Sequence, residues 1–204
     1  IKPEHLPSKL INLSRKLNLN IRDKDKYYFL PSIRKKEFQK KFGKHTKNKF
    51  ILIHLDEKWK DIKNIETDLL KNLIEFQKRI NMNVIISSKE NRSDYFIKFK
   101  YYLNRKYQEK ITLLENTNLE IMERLINYSI FSISCHSGFL VQIAGTNNTK
   151  IIDIINKNDL LWYTCWKPKN TRHKFIFKSD NNKKYDLHHI FMRISKIINN
   201  TKNF

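Results

Sequence analysis

The residues best placed to do chemistry in this chain lie in one octapeptide, Ser132-Ile133-Ser134-Cys135-His136-Ser137-Gly138-Phe139. A small-residue turn that runs from a buried strand straight into a helix presents backbone N–H groups and the positive end of a helix dipole, which suits an anion such as a phosphate. Gly138 and Gly145, two of the three glycines in the whole sequence, bracket that helix. In a chain so short of glycine, their retention marks the turn. A nucleophile reading of Cys135, His136 and Ser137 fails on detail, because Cys135 closes a buried strand and no separate base is identifiable for Ser137.

Other groups of interest also follow apolar runs. His54-Leu55-Asp56-Glu57-Lys58-Trp59 offers Lys58 to grip a phosphate with His54 near the strand tip, and an ordinary charged loop fits the same spacing. Ser87-Ser88-Lys89-Glu90 supplies hydroxyls, for which helix capping is the more ordinary use. In Glu115-Asn116-Thr117-Asn118, either Thr117 or Asn118 is placed to cap the next helix, and the same loop is within reach of a ligand. His188-His189 has no carboxylate or cysteine at metal-ligand spacing, so no metal site is expected. Leu161-Trp162-Tyr163-Thr164-Cys165-Trp166 reads as an aromatic loop that lids the core or walls a pocket, with the lid favoured.

The elements that must position these groups follow from periodicity. Short apolar runs at Phe50–Ile53, Val84–Ile86, Ile111–Leu114, Ile130–Ser134 and Ile151–Ile155 read as five buried strands. Between them lie helical patterns. Leu69, Leu73, Phe76 and Ile80 share one face, Phe96, Phe99 and Leu103 another, and Leu119, Met122, Leu125 and Ile126 a third. A last helix carries Leu187, Ile190, Phe191, Ile194, Ile197 and Ile198. Strands that are apolar throughout and alternate with helices imply an α/β fold with a parallel sheet covered on both faces. Such sheets bind ligands beyond the carboxyl ends of their strands, where every group above falls.

Residues 1 to 49 differ in kind. They carry 15 basic and 4 acidic residues, an amphipathic helix pattern at Leu6, Leu10, Leu13 and Leu17, an extended Tyr27-Tyr28-Phe29-Leu30-Pro31, and a Lys-rich run from Arg34 to Lys49 that reads as a solvated connector. We therefore divide the chain into a basic connector, 1–49, and a ligand-binding α/β domain, 50–204.

Composition bounds the function classes. The 204 residues hold 41 Lys+Arg against 20 Asp+Glu, a formal charge of +21. A basic surface favours polyanions. The discount is that 32 Lys, 23 Asn and 28 Ile stand beside one Ala, Ala144, as AT-rich coding would produce, so nucleic acid is not the expected partner. An apolar content of 40% excludes a disordered chain. Two cysteines exclude a disulfide framework and fit a reducing compartment. No stretch is long and apolar enough to span a bilayer. The chain opens on Ile, which suggests a piece of something longer.

With these residues in hand, the segment from about 50 to 155 resembles the carboxyl-terminal domain of the heptosyltransferases, family 9 of the glycosyltransferases, which have the two-domain GT-B fold. The resemblance rests on Lys58-Trp59 after the first strand and on the turn His136-Ser137-Gly138-Phe139-Leu140-Val141, with His136 at the family's usual Asp position and Val141 where the family has a His. Residues Leu6 to Leu19 and Phe29-Leu30-Pro31 look like its interdomain connector.

The resemblance implies the Rossmann-like, donor-binding half of a glycosyltransferase that moves a sugar from a nucleotide diphosphate to a lipopolysaccharide or other glycan. It implies that Lys58 contacts the donor phosphates with His54 beside it. Thr117 would lie near the nucleoside, Ser87 would be a further donor-binding residue, and His136, Ser137 and Gly138 would face the diphosphate. The donor itself is the only small-molecule partner, with no further cofactor. The acceptor, glycan or lipid-linked, and the catalytic base belong to a second, amino-terminal GT-B domain. The expected location is the cytoplasm, with peripheral association at the inner face of an anionic membrane. Two alternatives are a basic α/β module that binds nucleic acid or a membrane surface, and a degenerate, non-catalytic homologue.

Overall fold

The computed structural model describes residues 6–19, 35–88, 94–106, 110–147, 149–167, 172–180 and 183–200. The expected extended segment Tyr27–Pro31 lies outside them, as do Lys89 and Glu90.

The centre is a six-stranded, all-parallel sheet in the order β3-β2-β1-β4-β5-β6. Its strands are β1 (Phe50–Leu55), β2 (Asn83–Ser88), β3 (Ile111–Glu115), β4 (Phe131–Ser134), β5 (Lys150–Ile155) and β6 (His173–Phe177). The first five are the expected apolar runs. The sixth is new: His173-Lys174-Phe175-Ile176-Phe177 is an edge strand in which only Ile176 is buried. A short antiparallel pair, β7 (Ser179–Asp180) and β8 (Lys183–Lys184), follows it.

The described residues form eight helices: α1 (Leu6–Lys16), α2 (Lys35–Thr46), α3 (Ile65–Ile80), α4 (Asp94–Lys106), α5 (Leu119–Tyr128), α6 (Gly138–Thr146), α7 (Leu160–Trp166) and α8 (Leu187–Asn199). Alternate strand positions feed two cores. Ile51, Ile53, Ile86, Ile133, Ile152 and Ile154 pack against apolar faces of α3, α4 and α8. Phe50, Leu52, Ile85 and Ile151 meet α2, α5 and α6. This alternation follows from the period of two in a strand.

The amino-terminal region departs from the expectations in two ways. The Lys-rich run read as a solvated connector forms α2, and its Phe38 is fully buried in the second core beside Phe42 and Tyr128. Leu10 and Leu13 of α1, and Leu17 just after it, are instead more than half exposed. Among the described residues no helix is long and apolar enough to cross a membrane.

Backbone seats with positive φ show how a glycine-poor chain makes its turns. Asn18, Asn64, Asn81 and Asn116 occupy such seats, together with His136, and no described glycine does. Asn tolerates the left-handed region better than other residues with a Cβ because its short amide bonds locally. His136 gains no such local help and is held by other means.

Candidate functional site

The site forms where β1, β2, β4 and β5 end. Register places His54 opposite Ser87 on β2 and Ser134 on β4, and Ser134 opposite Asp153 on β5. All four point to the sheet face that carries α5 and α6, since each lies an even number of residues from Leu52, Ile85, Ser132 or Ile151. A row of polar groups thus replaces the apolar pattern at the strand tips, on one face only.

Lys58 sits on a single 3-10 turn, Glu57–Asp61, directly after β1. Several bonds fix that turn. The Asp56 carboxylate accepts from the Lys58 backbone N–H at 3.1 Å. The buried Trp59 indole donates to the His54 carbonyl at 2.9 Å. Lys178, at the end of β6 and itself buried, donates its ammonium to the Lys58 carbonyl at 2.6 Å and to Asp61 at 3.2 Å. Burial raises the Asp56 carboxyl to about 6, partly offset by the Lys58 N–H bond. From this anchored backbone the Lys58 ammonium crosses to the next turn and donates to the His136 carbonyl at 2.9 Å.

That second turn is the octapeptide singled out by sequence. His136 takes φ 59°, and Asp153 holds it there. The carboxylate accepts from the His136 backbone N–H at 2.8 Å and meets its ring Nδ1 at 2.5 Å. Tyr163 of α7 stacks on the ring with centroids 3.4 Å apart. Ser134 Oγ lies 3.5 Å from the same carboxylate and accepts from the Ser137 N–H at 3.2 Å. His173 of β6 brings Nε2 to 3.4 Å from Asp153, within ion-pair reach but without hydrogen-bond geometry. Burial pushes the Asp153 carboxyl up, and the His136 bond together with the nearness of His136 and His173 outweighs it, leaving the carboxyl below its ordinary value.

Ser137 occupies the N-cap seat of α6, yet its side chain makes no capping bond. Asn118 caps α5 and Asp186 caps α8, whereas Asn64 before α3 and Asp159 before α7, like Ser137, make no side-chain capping bond. The first N–H groups of α6 therefore lack the side-chain partner that capping supplies. A Cβ placed on Gly138 would meet nothing within 4 Å, and its φ is not positive. Neither backbone strain nor crowding from the protein demands glycine there, and the space in front of the helix start is open.

The structure brings together His54, Ser87, Lys58, His136, Ser137 and Gly138. His54 Nδ1 pairs with Ser87 Oγ at 3.0 Å and its ring meets the edge of Phe139 on α6. Ser87 and Ser88 end β2 rather than capping a helix, because the strand runs two residues further than its apolar core. Thr117 stands apart: it follows β3, two strands from β1, and Asn118 beside it does the capping. Cys135 is buried, and burial pushes its thiol well above the ordinary range, so it stays a neutral core residue. Among the described residues no three His, Cys, Asp or Glu side chains are placed to hold a metal.

Three participants escaped the sequence reading: Asp153, His173 and Lys178. Asp153 carried a legible signal, since a lone acid in Ile151-Ile152-Asp153-Ile154-Ile155 must find partners when the strand is buried. The aromatic segment 161–166 is a helix, α7, and not a loop that lids the core. None of its residues is buried, and it walls the site through Tyr163.

No family model and no curated protein sequence matches the chain. Its backbone does match solved structures. The glycosyl transferase family 9 protein from Veillonella parvula superposes with a TM-score of 0.63 at 10% identity, over 97% of this chain and 60% of that one. The ADP-heptose lps heptosyltransferase II of E. coli gives 0.56 at 12% identity, over 84% and 53%. The S. aureus MnaA–UDP co-structure gives 0.57 at 12% identity, over 85% and 42%. This chain thus spans about half the length of the structures it matches. The six-stranded parallel sheet with helices on both faces is a Rossmann-like α/β fold, that of a GT-B glycosyltransferase-like domain.

Proposed function

We propose that this chain is the donor-binding half of a heptosyltransferase-type glycosyltransferase and that the Lys58–His136 corner holds the diphosphate of a nucleotide sugar. The observation that carries the reading is the bond from the Lys58 ammonium to the His136 carbonyl, which sets a cation at the uncapped start of α6. Helix N–H groups and a lysine stabilise phosphate oxygens as the sugar departs and negative charge builds on the leaving nucleoside diphosphate. Two neighbours that share the fold support a nucleotide ligand by their names, one a UDP co-structure and one acting with ADP-heptose.

In this reading His54 and Ser87 line the floor beside the phosphates, Ser137 and Gly138 face the diphosphate, and Thr117 lies on the nucleoside side. The donor is the only small molecule proposed. The acceptor, a lipopolysaccharide or other glycan, and the catalytic base come from the second half of a GT-B pair, and the protein works in the cytoplasm at the inner membrane face. Residues 1–49 serve as the link between the halves.

Calorimetric titration with a panel of nucleoside diphosphates and diphosphate sugars tests the reading. The expected result is a preferred nucleotide whose affinity falls at least about tenfold in Lys58→Ala, the loss of one charge-assisted hydrogen bond. Failure of every nucleotide to bind, or binding indifferent to Lys58, overturns it. A second reading, a basic module on an anionic membrane surface, draws on the exposed leucines of α1 with Arg15 and Lys16 in its last turn. Steep loss of vesicle binding with salt, absent for nucleotide binding, would favour that use.

A further inference from the structure

Asp153 has no exposed surface, so its charge must be answered from within the protein. The answer is asymmetric. His136 is gripped at both its backbone N–H and its Nδ1. Its ring plane is set by Tyr163. The remaining nitrogen, Nε2, takes no part in the Asp153 contact, and the side chain keeps 16% of its surface exposed. The same residue's carbonyl receives the Lys58 ammonium. The oriented ring therefore belongs to the residue whose carbonyl receives Lys58 and which lies two positions ahead of the first residue of α6.

The protonation of that ring changes what an anion meets. In the neutral form Asp153 favours the tautomer with its proton on Nδ1, which leaves Nε2 a lone pair and the pair a net negative charge. One added proton turns Nε2 into a donor and cancels the carboxylate's charge. A phosphate is repelled in the first state and bonded in the second.

We propose that Asp153 is a positioning residue that makes His136 a proton-dependent ligand for the donor diphosphate; this rests on the donor-site reading above. The other titratable groups around the ring are Lys58 on the 3-10 turn, His173 on β6 at 3.4 Å from the shared carboxylate, Cys135 in the turn itself, and Tyr163 of α7 with Asp159 near it. His173 is almost wholly buried, and both of its ring nitrogens lack hydrogen bonds among the described residues, so it also answers to the charge on Asp153.

The test is calorimetric titration of the full chain with UDP and with inorganic pyrophosphate between about pH 5.5 and about pH 8, the range in which histidines change charge. Wild type, His136→Gln and Asp153→Asn are compared. The ligands' own ionisation is common to all three, so differences between the profiles report the ring. Wild type should gain about tenfold more affinity towards acid pH than His136→Gln, the worth of one charge-assisted bond. Asp153→Asn should narrow the difference between wild type and His136→Gln, because the ring loses the partner that orients it. Parallel profiles for wild type and His136→Gln overturn the proposal while leaving the donor site intact. Absence of binding at every pH overturns the donor reading and this proposal together. Should Asp153→Asn fail to fold, ring ¹⁵N spectra of the wild type decide the point: a neutral His136 protonated at Nδ1 supports the proposal, and one protonated at Nε2 overturns it.

Discussion

Two turns of this molecule begin alike and end differently. After β3, Asn116 takes φ 52° and the chain enters α5 through Asn118, whose side chain accepts from the Ile121 N–H at 2.9 Å. After β4, His136 takes φ 59° and the chain enters α6 through Ser137, which caps nothing. One helix start is closed by the protein itself. The other is left open and surrounded by Lys58, His54 and an Asp–His pair. The difference teaches that a left-handed residue followed by a polar N-cap is structural grammar common to both turns. Function lies in what the second turn leaves unfilled and in the charge gathered around it.

Substitutions can break this contrast or sharpen it. Asp153→Ala should have the largest effect, because it leaves two imidazoles and the strained seat of His136 without their anchor. A loss of about 3 kcal/mol, measured by denaturant unfolding, is expected for breaking a buried pair. Asp153 also sets the acid limit of the fold. Its carboxyl lies below the ordinary value in the folded state, so the stabilisation it gives is full above the unfolded value of 3.8 and fades as pH falls through the folded one. Lys58→Ala should cost about 2 kcal/mol of nucleotide binding, read by calorimetry, with little change in unfolding.

Asn118→Ala is the mirror experiment. It should cost about 1 kcal/mol of stability through the lost cap and leave nucleotide affinity unchanged. Ser137→Ala should change stability by less than about 0.5 kcal/mol, because no capping bond exists to lose. If Ser137→Ala proves as costly as Asn118→Ala, the contrast between the turns collapses. The smallest effect is expected from Asp56→Asn. The Asp56 carboxyl stands above its unfolded value of 3.8, at about 6, so the folded state holds the extra proton and stability falls as pH rises across that window. The substitution should flatten that slope in unfolding curves recorded from pH 4 to pH 6.

Five of the six sheet strands were legible because Ile-rich runs of strand length leave little alternative, and the helices between them follow from 3.6-residue spacing. β6 was not, since its apolar run is only Phe175-Ile176-Phe177, flanked by Lys174 and Lys178. The Lys-rich run hid α2 because one aromatic, Phe38, carries its burial. Lys58 and the turn at 136–138 were legible from residue type at strand ends. What holds them was not, because Lys178 lies 120 positions from Lys58 in sequence and Asp153 lies 17 from His136. Such pairings depend on strand order, which no local pattern encodes.

The strand order has a further consequence for biosynthesis. β1 is the first of this sheet's strands in chain order and lies inside the sheet, with β2 on one side and β4 on the other. As the chain is synthesised, β2 is soon available, whereas the other edge of β1 waits until α3, β2, α4, β3 and α5 have all emerged. Through that interval Phe50-Ile51-Leu52-Ile53 presents unpaired backbone groups on an apolar strand, the template on which chains aggregate. The dense positive charge of the segment ahead of it, 15 basic residues in the first 49, keeps nascent chains apart while β1 waits for β4.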